Sequence, residues 1–376
     1  MSHVGLFDPL TIRSVTLPNR IVMSPMTRRH SPAGVPTAAV ADYYERRSRG
    51  GTGLIVTEGV AIDHPSAVDA SDVPRMHGCE ALEGWRRIVD RVHRANSKII
   101  PQLWHVGPLW GAMAGVDRRV KAMRPSGIWG KPGVTIYPQS YIDASLAHTE
   151  AMTESDISDV IAAYAAAARN AIEIGFDGIA IHGGHGYLLD AFLWKETNHR
   201  EDDWGGDLRR RTRFPEEVVR AIRAAIGPDY PIFFRFSQHK QQDFKASIAD
   251  SPQELGVVLS ALRDAGVDVF DASIRRFYTP VFSGSELSLA GWAKKLTGAV
   301  TMAVGSAGMS AGLNGESTLL GADESIDDVL DRLHGHEFDL VAFGRLHLAD
   351  PALAQRLRRG TPMPVFDKKT HENTLY

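Results

Sequence analysis

The chain has 376 residues, 43% hydrophobic and 23% charged, with a formal net charge of -3, so it can bury a large core and makes no electrostatic case for a nucleic-acid or anionic-membrane partner. Its single cysteine, Cys79, is incompatible with an internal disulfide, a cysteine-bound zinc site or an iron–sulfur cluster. The opening MSHVGLFDPL lacks the basic and apolar regions of a secretory leader, and no apolar run reaches bilayer length, so a cytoplasmic protein with no membrane partner is expected.

In chain order, apolar strand-like runs fall at 20–24, 53–57, 98–103, 178–181, 231–236, 267–271, 300–304 and 340–343. Between them lie segments with helical spacing. The clearest covers 154–174, with Ile157, Val160, Ile161, Tyr164, Ala168 and Ile172 on one face. Thr153 and Asp156 form a capping-box pattern at its start, and Gly175 closes its far end. Eight strands alternating with helices predict an α/β fold of the (β/α)8 TIM-barrel type, one domain over 1–376. An open doubly wound sheet would want a Gly-x-Gly-x-x-Gly turn after the first strand, where Pro25, Met26 and Thr27 stand. The connection 104–152, rich in Gly, Pro and Trp, is too long for a simple loop and is expected to form a capping subdomain inserted after strand 3. Arg209, Arg210, Arg211 and Arg213 are read as a solvated, salt-bridged helix start.

Chemistry in such folds gathers at the C-terminal ends of the strands. There the chain offers Pro25, Met26 and Thr27, then Glu58 and Gly59, then Gln102 with Trp104 and His105. The fourth strand runs into His182, His185 and Tyr187, the fifth carries Arg235, and the sixth is followed by Arg275 and Arg276. The last two strands end in Gly305, Ser306, Ala307 and Gly308, and in Gly344 and Arg345. Glycine-rich turns at those two strands, with an arginine beside them, suit a phosphate, because backbone N–H groups approach closely and the guanidinium forks two oxygens. Gln102 can read a heteroaromatic edge and Arg235 can offset an anionic ring. With no nucleophile beside a base, these groups suggest a bound flavin mononucleotide (FMN).

From the residues alone, three readings of His182 and His185 stay open: a metal pair needing a third ligand such as His105 or Asp190, satisfied structural histidines, or a clamp on substrate. Trp104 is candidate pocket lining, Gly59 either turns the chain or admits the flavin, and His105, Arg275 and Arg276 have no assigned role.

The whole chain resembles the old yellow enzyme family of flavin-dependent ene-reductases. The resemblance is carried by Leu6 to Leu10, by Leu17 to Thr27, by Tyr43 and Tyr44, and by Gly53 to Gly59. It continues through Gln102-Leu103-Trp104-His105, Asn198, Arg200, Asp202, Trp204-Gly205-Gly206, Arg211, Arg213, Phe214, Phe343-Gly344-Arg345 and Asp350-Pro351. It implies FMN at the barrel mouth, NAD(P)H as reductant, and a ping-pong cycle that ends with hydride on the β-carbon of an activated alkene, an unsaturated carbonyl or nitro compound. It further implies that His182 and His185 hold the substrate oxygen, that Tyr187 protonates the α-carbon, and that Thr27, Gln102 and Arg235 contact the flavin's O4, pyrimidine and N1/O2 edges. Pro25, Met26, Gly59, His182, Gly305, Ser306, Gly344 and Arg345 complete the expected cofactor site, and no metal is expected. The chain departs from the family pattern at His185 (often asparagine), Pro108, Asp207, Arg210 and the tyrosine-free stretch 367–371. A metal-dependent barrel hydrolase and a non-catalytic flavin- or phosphate-binding barrel are the alternatives, and a monomer or a homo-oligomer fits equally.

Overall fold

The computed structural model describes residues 4–112, 119–309 and 322–376. Two three-residue strands, β1 (Leu10–Ile12) and β2 (Val15–Leu17), form an antiparallel hairpin. Then come β3 (Ile21–Met23), α1 (Ala38–Arg49), β4 (Leu54–Ala61), α2 (Cys79–Arg94) and β5 (Lys98–Trp104). A long connection carrying α3 (Gln139–Ser145) leads to α4 (Glu154–Glu173) and β6 (Ile179–His182). The chain continues through α5 (Leu188–Leu193), α6 (Leu208–Arg211), α7 (Arg213–Ile226), β7 (Ile232–Phe236), α8 (Pro252–Ala265) and β8 (Val269–Ser273). It finishes with α9 (Leu289–Thr297), β9 (Val300–Val304), α10 (Ala322–His334), β10 (Leu340–Phe343), α11 (Arg345–Ala349), α12 (Leu353–Arg359) and α13 (Lys368–His371).

Strands β3 to β10 run parallel and close into a barrel, β10 pairing with β3 through Val341 opposite Ile21. This is the expected (β/α)8 barrel. The helix expected over 154–174 forms with both halves of its capping box, Thr153 and Asp156 each accepting from the other's backbone N–H. The arginine cluster is salt-bridged, Arg209 to Glu216 at 2.6 Å and Arg213 to Asp203 at 2.9 Å.

One expectation needs correcting. The second barrel strand runs on to Ala61, so Glu58 and Gly59 lie within it rather than after it. Its pairing with β5 shifts between Val56 and Gly59, and this bulge lets the strand continue where a turn was expected. The hairpin β1–β2 was not foreseen. Its Ile12, Val15 and Leu17 pack with the barrel-interior residues Val22, Leu54, Val56, Phe233, Val269 and Met302, forming a floor to the barrel.

Strand alternation then sets what the mouth contains. Phe233 belongs to the interior cluster, while Ile232, Phe234 and Phe236 pack outward against helices. Arg235 therefore shares the inward face with Phe233, one step nearer the C-terminal end. The same period carries Ile100 to Gln102 and Trp104, Ala180 to His182, and Val269 to Asp271 and Ser273.

Candidate active site

Neighbouring strands place the inward residues side by side: His182 is in register with Arg235, and Arg235 with Asp271. Arg235, expected from the sequence to offset an anionic ring, is itself paired with a carboxylate. Its Nε donates to Asp271 Oδ2 at 2.6 Å, and a terminal nitrogen reaches Ser24 Oγ at 3.3 Å, all buried. Burial pushes the Asp271 carboxyl up, and Arg235 opposes that shift. The pair holds the guanidinium in one orientation and leaves donors for a ligand. Asp271 was missed by sequence reading, although the alternation from Val269 pointed to it.

Beside this pair lies a cavity of about 260 Å3 lined by Ser24, Met26, His185, Arg235, Ser273, Gly305, Ser306, Gly344 and Arg345, among others. It gathers the residues expected at the first, fifth, seventh and eighth strand ends. Arg345 donates to Ser306 Oγ at 2.8 Å, and Ser306 sits in a left-handed conformation (φ 53°). Gly305 has no room for a side chain, since a Cβ there would lie 2.1 Å from the Ile274 carbonyl oxygen. Pro25, Thr27, Gly59, Gln102, His182 and Tyr187 do not line this cavity. Thr27 is exposed, and the loop carrying it is anchored by Glu58, whose Oε2 accepts from Arg28 and Arg29 N–H at 2.8 and 3.2 Å. Gly59 admits the Trp104 indole, which a Cβ would meet at 2.5 Å.

His182, His185 and Tyr187 come together at the end of β6. The rings of His182 and Tyr187 are 4.6 Å apart and those of His182 and His185 5.1 Å, with Trp104 stacked 6.1 Å from His182. His185 has φ 63°, a strained value for a residue with a side chain. Three contacts enforce it. His185 N–H donates to Ser237 Oγ at 2.8 Å, Gly186 N–H donates to Asp190 Oδ2 at 2.6 Å, and Lys240 Nζ donates to Asp190 Oδ1 at 2.7 Å. His185 Nε2 is 2.9 Å from Ser273 Oγ. Burial holds both imidazoles well below their usual range, helped by Arg235 at His182 and by His239 at His185, so both are neutral near pH 7. Burial likewise pushes the Tyr187 phenol up, with Asp69 adding to the shift.

Several buried polar atoms have no partner among the described residues: Gln102 Nε2, Trp104 Nε1, His182 Nδ1 and Asp271 Oδ1. All stand on inward strand positions at the mouth. Unsatisfied polar atoms of this kind are costly unless a ligand meets them, and a flat heteroaromatic ring with a phosphate tail fits both them and the Ser306–Arg345 cradle. The candidate third metal ligands are engaged elsewhere: Asp190 by Lys240, and His105 by His64 Nδ1 at 3.0 Å and Gly107 N–H. Among the described residues, no group of three or more His, Cys, Asp or Glu is arranged to hold a metal.

A sequence profile described as the NADH:flavin oxidoreductase / NADH oxidase family matches residues 5–363. The chain belongs to this family, that of the old yellow enzymes. It is 30% identical over 383 residues to 12-oxophytodienoate reductase 7 of Oryza sativa subsp. japonica, covering 97% of this chain and 90% of the relative. It is 29% identical over 384 residues to flavin oxidoreductase hxnT of Emericella nidulans, covering 97% and 93%. Morphinone reductase solved in complex with tetrahydroNAD superposes with a TM-score of 0.79 at 25% identity over 98% of this chain and 94% of that one. An old yellow enzyme from Pichia sp. AKU4542 also gives 0.79 at 25% identity, over 97% and 89%. This old yellow enzyme homologue is thus an NAD(P)H-dependent flavin oxidoreductase that uses FMN. Among its described residues, no helix is long and apolar enough to cross a membrane.

Proposed function

We propose that this enzyme reduces the activated carbon–carbon double bond of an α,β-unsaturated carbonyl or nitro compound, with Tyr187 as proton donor. The observation that carries the reading is the cluster of two neutral imidazoles and a protonated phenol at the end of β6, next to the cofactor cavity. FMN supplies the hydride chemistry that amino-acid side chains lack. Arg345, Ser306 and the backbone at Gly305 and Gly344 would hold its phosphate. Gln102, Arg235 and His182, with the Pro25-Met26-Thr27 loop, would edge its ring.

The chain's own residues do the rest. As the alkene is reduced, negative charge gathers on the substrate oxygen, and N–H donors from His182 and His185 stabilise that charge more than the ground state. A neutral imidazole donates through one nitrogen only, so the partner of the other nitrogen sets what it can offer. At His185, Nε2 faces the Ser273 hydroxyl. When Ser273 O–H donates to Nε2, the N–H of His185 is Nδ1 and is available for substrate. The Tyr187 hydroxyl stays protonated at every physiological pH and delivers a proton to the α-carbon.

The segment 104–152 caps the mouth in this reading, and residues 113–118 within it lie outside the described residues. The support is that Tyr187 packs against Trp104 and Val106 on one side and against Leu109, Trp129 and Ile142 on the other.

The test is reoxidation of the anaerobically reduced enzyme by a panel of oxidants. Cyclohexenone and nitroalkenes are expected to restore the oxidised flavin spectrum in the dead-end absence of oxygen and to yield the saturated product. Reduction by NAD(P)H with no reoxidation by any activated alkene contradicts the proposal.

A further inference from the structure

Gln242, in the loop between β7 and α8, is fully buried and does not line the cofactor cavity. It nevertheless joins three segments. Its side-chain Nε2 donates to the Trp129 carbonyl at 3.1 Å and to the Gly186 carbonyl at 3.4 Å. Its own carbonyl accepts from Gly133 N–H at 3.0 Å. Its neighbours repeat the pattern. Gln241 N–H donates to the His185 carbonyl at 3.1 Å, Phe244 N–H to the Val134 carbonyl at 2.7 Å, and Thr135 Oγ1 to the Gln241 carbonyl at 2.5 Å. The stretch 241–244 thus holds residues 129–135, from the long connection after β5, on one side and the 185–187 turn on the other.

The surroundings determine which way the Gln242 amide points. Two carbonyl oxygens converge on Nε2, and with Oε1 in that place three acceptors would meet. Oε1 instead lies against Gly186, where a Cβ would meet it at 2.0 Å, and it has no hydrogen-bond partner among the described residues. A buried acceptor left unmet costs stability, so stability alone does not account for a glutamine here. What the amide supplies is a fixed direction for two carbonyls, and both bear on Tyr187. The Gly186 carbonyl belongs to the peptide plane that leads into Tyr187. Gly186 N–H donates to Asp190 Oδ2 at 2.6 Å, so both polar groups of this glycine are held. Trp129, with Leu109 and Ile142, packs against the Tyr187 ring. One amide therefore registers the backbone from which the phenol projects against the wall on which it rests.

We propose that Gln242 is a positioning residue for the proton transfer, setting the placement of the Tyr187 phenol at the substrate's α-carbon by holding Gly186 and Trp129 on one amide. The inference rests on Tyr187 being the proton donor, as proposed above. Transfer to carbon is sensitive to such placement, since an error of ~1 Å can cost ~10²-fold in rate. Flavin reduction by NAD(P)H needs no proton from the phenol and does not depend on Gln242.

The test is anaerobic stopped-flow on the holoenzymes of wild type, Gln242→Met, Gln242→Glu, Tyr187→Phe and the double variant with Gln242→Met and Tyr187→Phe. Gln242→Met keeps the shape and removes both donated bonds, and is expected to slow reoxidation by saturating cyclohexenone about tenfold or more. Its flavin reduction by NAD(P)H, and its reoxidation by ferricyanide, which takes up no proton at carbon, are expected to stay within about threefold of wild type. The buried carboxyl of Gln242→Glu is held protonated and can donate to one carbonyl, so this variant is expected to fall between the two. In the Tyr187→Phe background, adding Gln242→Met is expected to cost nothing further, because Gln242 acts through the phenol. Unslowed enone reoxidation in Gln242→Met, equal slowing with cyclohexenone and ferricyanide, the same Gln242 effect in both backgrounds, or loss of flavin from both Gln242 variants overturns the inference. Tyr187→Phe that reoxidises with cyclohexenone at the wild-type rate contradicts instead the assignment of Tyr187, and the two failures are thereby distinguished.

Discussion

Lys240 Nζ lies 2.7 Å from Asp190 Oδ1, both side chains within 1% of complete burial, and the other carboxylate oxygen takes the Gly186 N–H at 2.6 Å. This ion pair joins the loop after β7 to the first turn of α5 and brackets the strained His185. The left-handed backbone at His185 costs ~1–3 kcal/mol and persists because its surroundings over-determine it.

Removing one partner of such a pair leaves an uncompensated buried charge. Lys240→Met is expected to destabilise the fold by ~3–5 kcal/mol, measured by urea unfolding. Adding Asp190→Leu to that variant is expected to recover much of the stability but not the geometry of the 185–187 turn. Phenol affinity, read from the long-wavelength flavin absorption that such ligands induce, should therefore stay depressed in the double variant. Full recovery of both would contradict a positioning role for the pair.

The donors on the substrate oxygen can be separated. His182→Ala is expected to weaken phenol binding by more than tenfold, in keeping with the loss of ~3 kcal/mol typical of an oxyanion donor. Ser273→Ala leaves both imidazoles present but frees His185 Nε2 from its 2.9 Å contact. Its expected effect is smaller, roughly three- to tenfold, from the loss of one net hydrogen bond's control over the tautomer. A Ser273→Ala variant with unchanged phenol affinity would count against that control.

Glu58 makes stability depend on pH. Burial pushes its carboxyl up to about 7, against the lowering effect of the Arg28 and Arg29 N–H bonds. The unfolded chain ionises this group near its ordinary value of ~4.3, so between that pH and about 7 the native state holds the extra proton. Its contribution is complete below the lower value and is lost as pH rises through the window, by up to ~3 kcal/mol. Glu58→Gln keeps an acceptor for both N–H groups and removes the titration. In urea unfolding at pH 5 and pH 8, wild type is expected to lose stability relative to the variant between the two. A constant difference between them would refute this.

How much of this was legible in the sequence follows from length scales. Barrel strands of four or more residues stand out as apolar runs, and two of them, Val300–Val304 and Leu340–Phe343, have the expected limits. β4 is buried on both faces along all eight residues, so no alternation marks its end and Glu58 was read as lying beyond it. The hairpin strands of three residues are too short to show a period at all. At the site, His182, His185 and Tyr187 sit within one local turn, so sequence proximity revealed them. Arg235 was equally visible, but its partner Asp271 is 36 residues away and required the strand register. Asp190 and Lys240 are 50 residues apart and meet only because the loop after β7 folds against the first turn of α5. Isolated charged residues at that separation carry no pairing signal.

The most direct measurement is a comparison of half-reactions in Tyr187→Phe by anaerobic stopped-flow. Flavin reduction by NAD(P)H is expected to stay within a few-fold of wild type, because it needs no proton from the phenol. Reoxidation by cyclohexenone should slow by ~10²–10⁴, the usual contribution of a positioned acid. Equal slowing of both halves, or neither, would contradict the role of Tyr187 and with it the proposed chemistry of the β6 cluster.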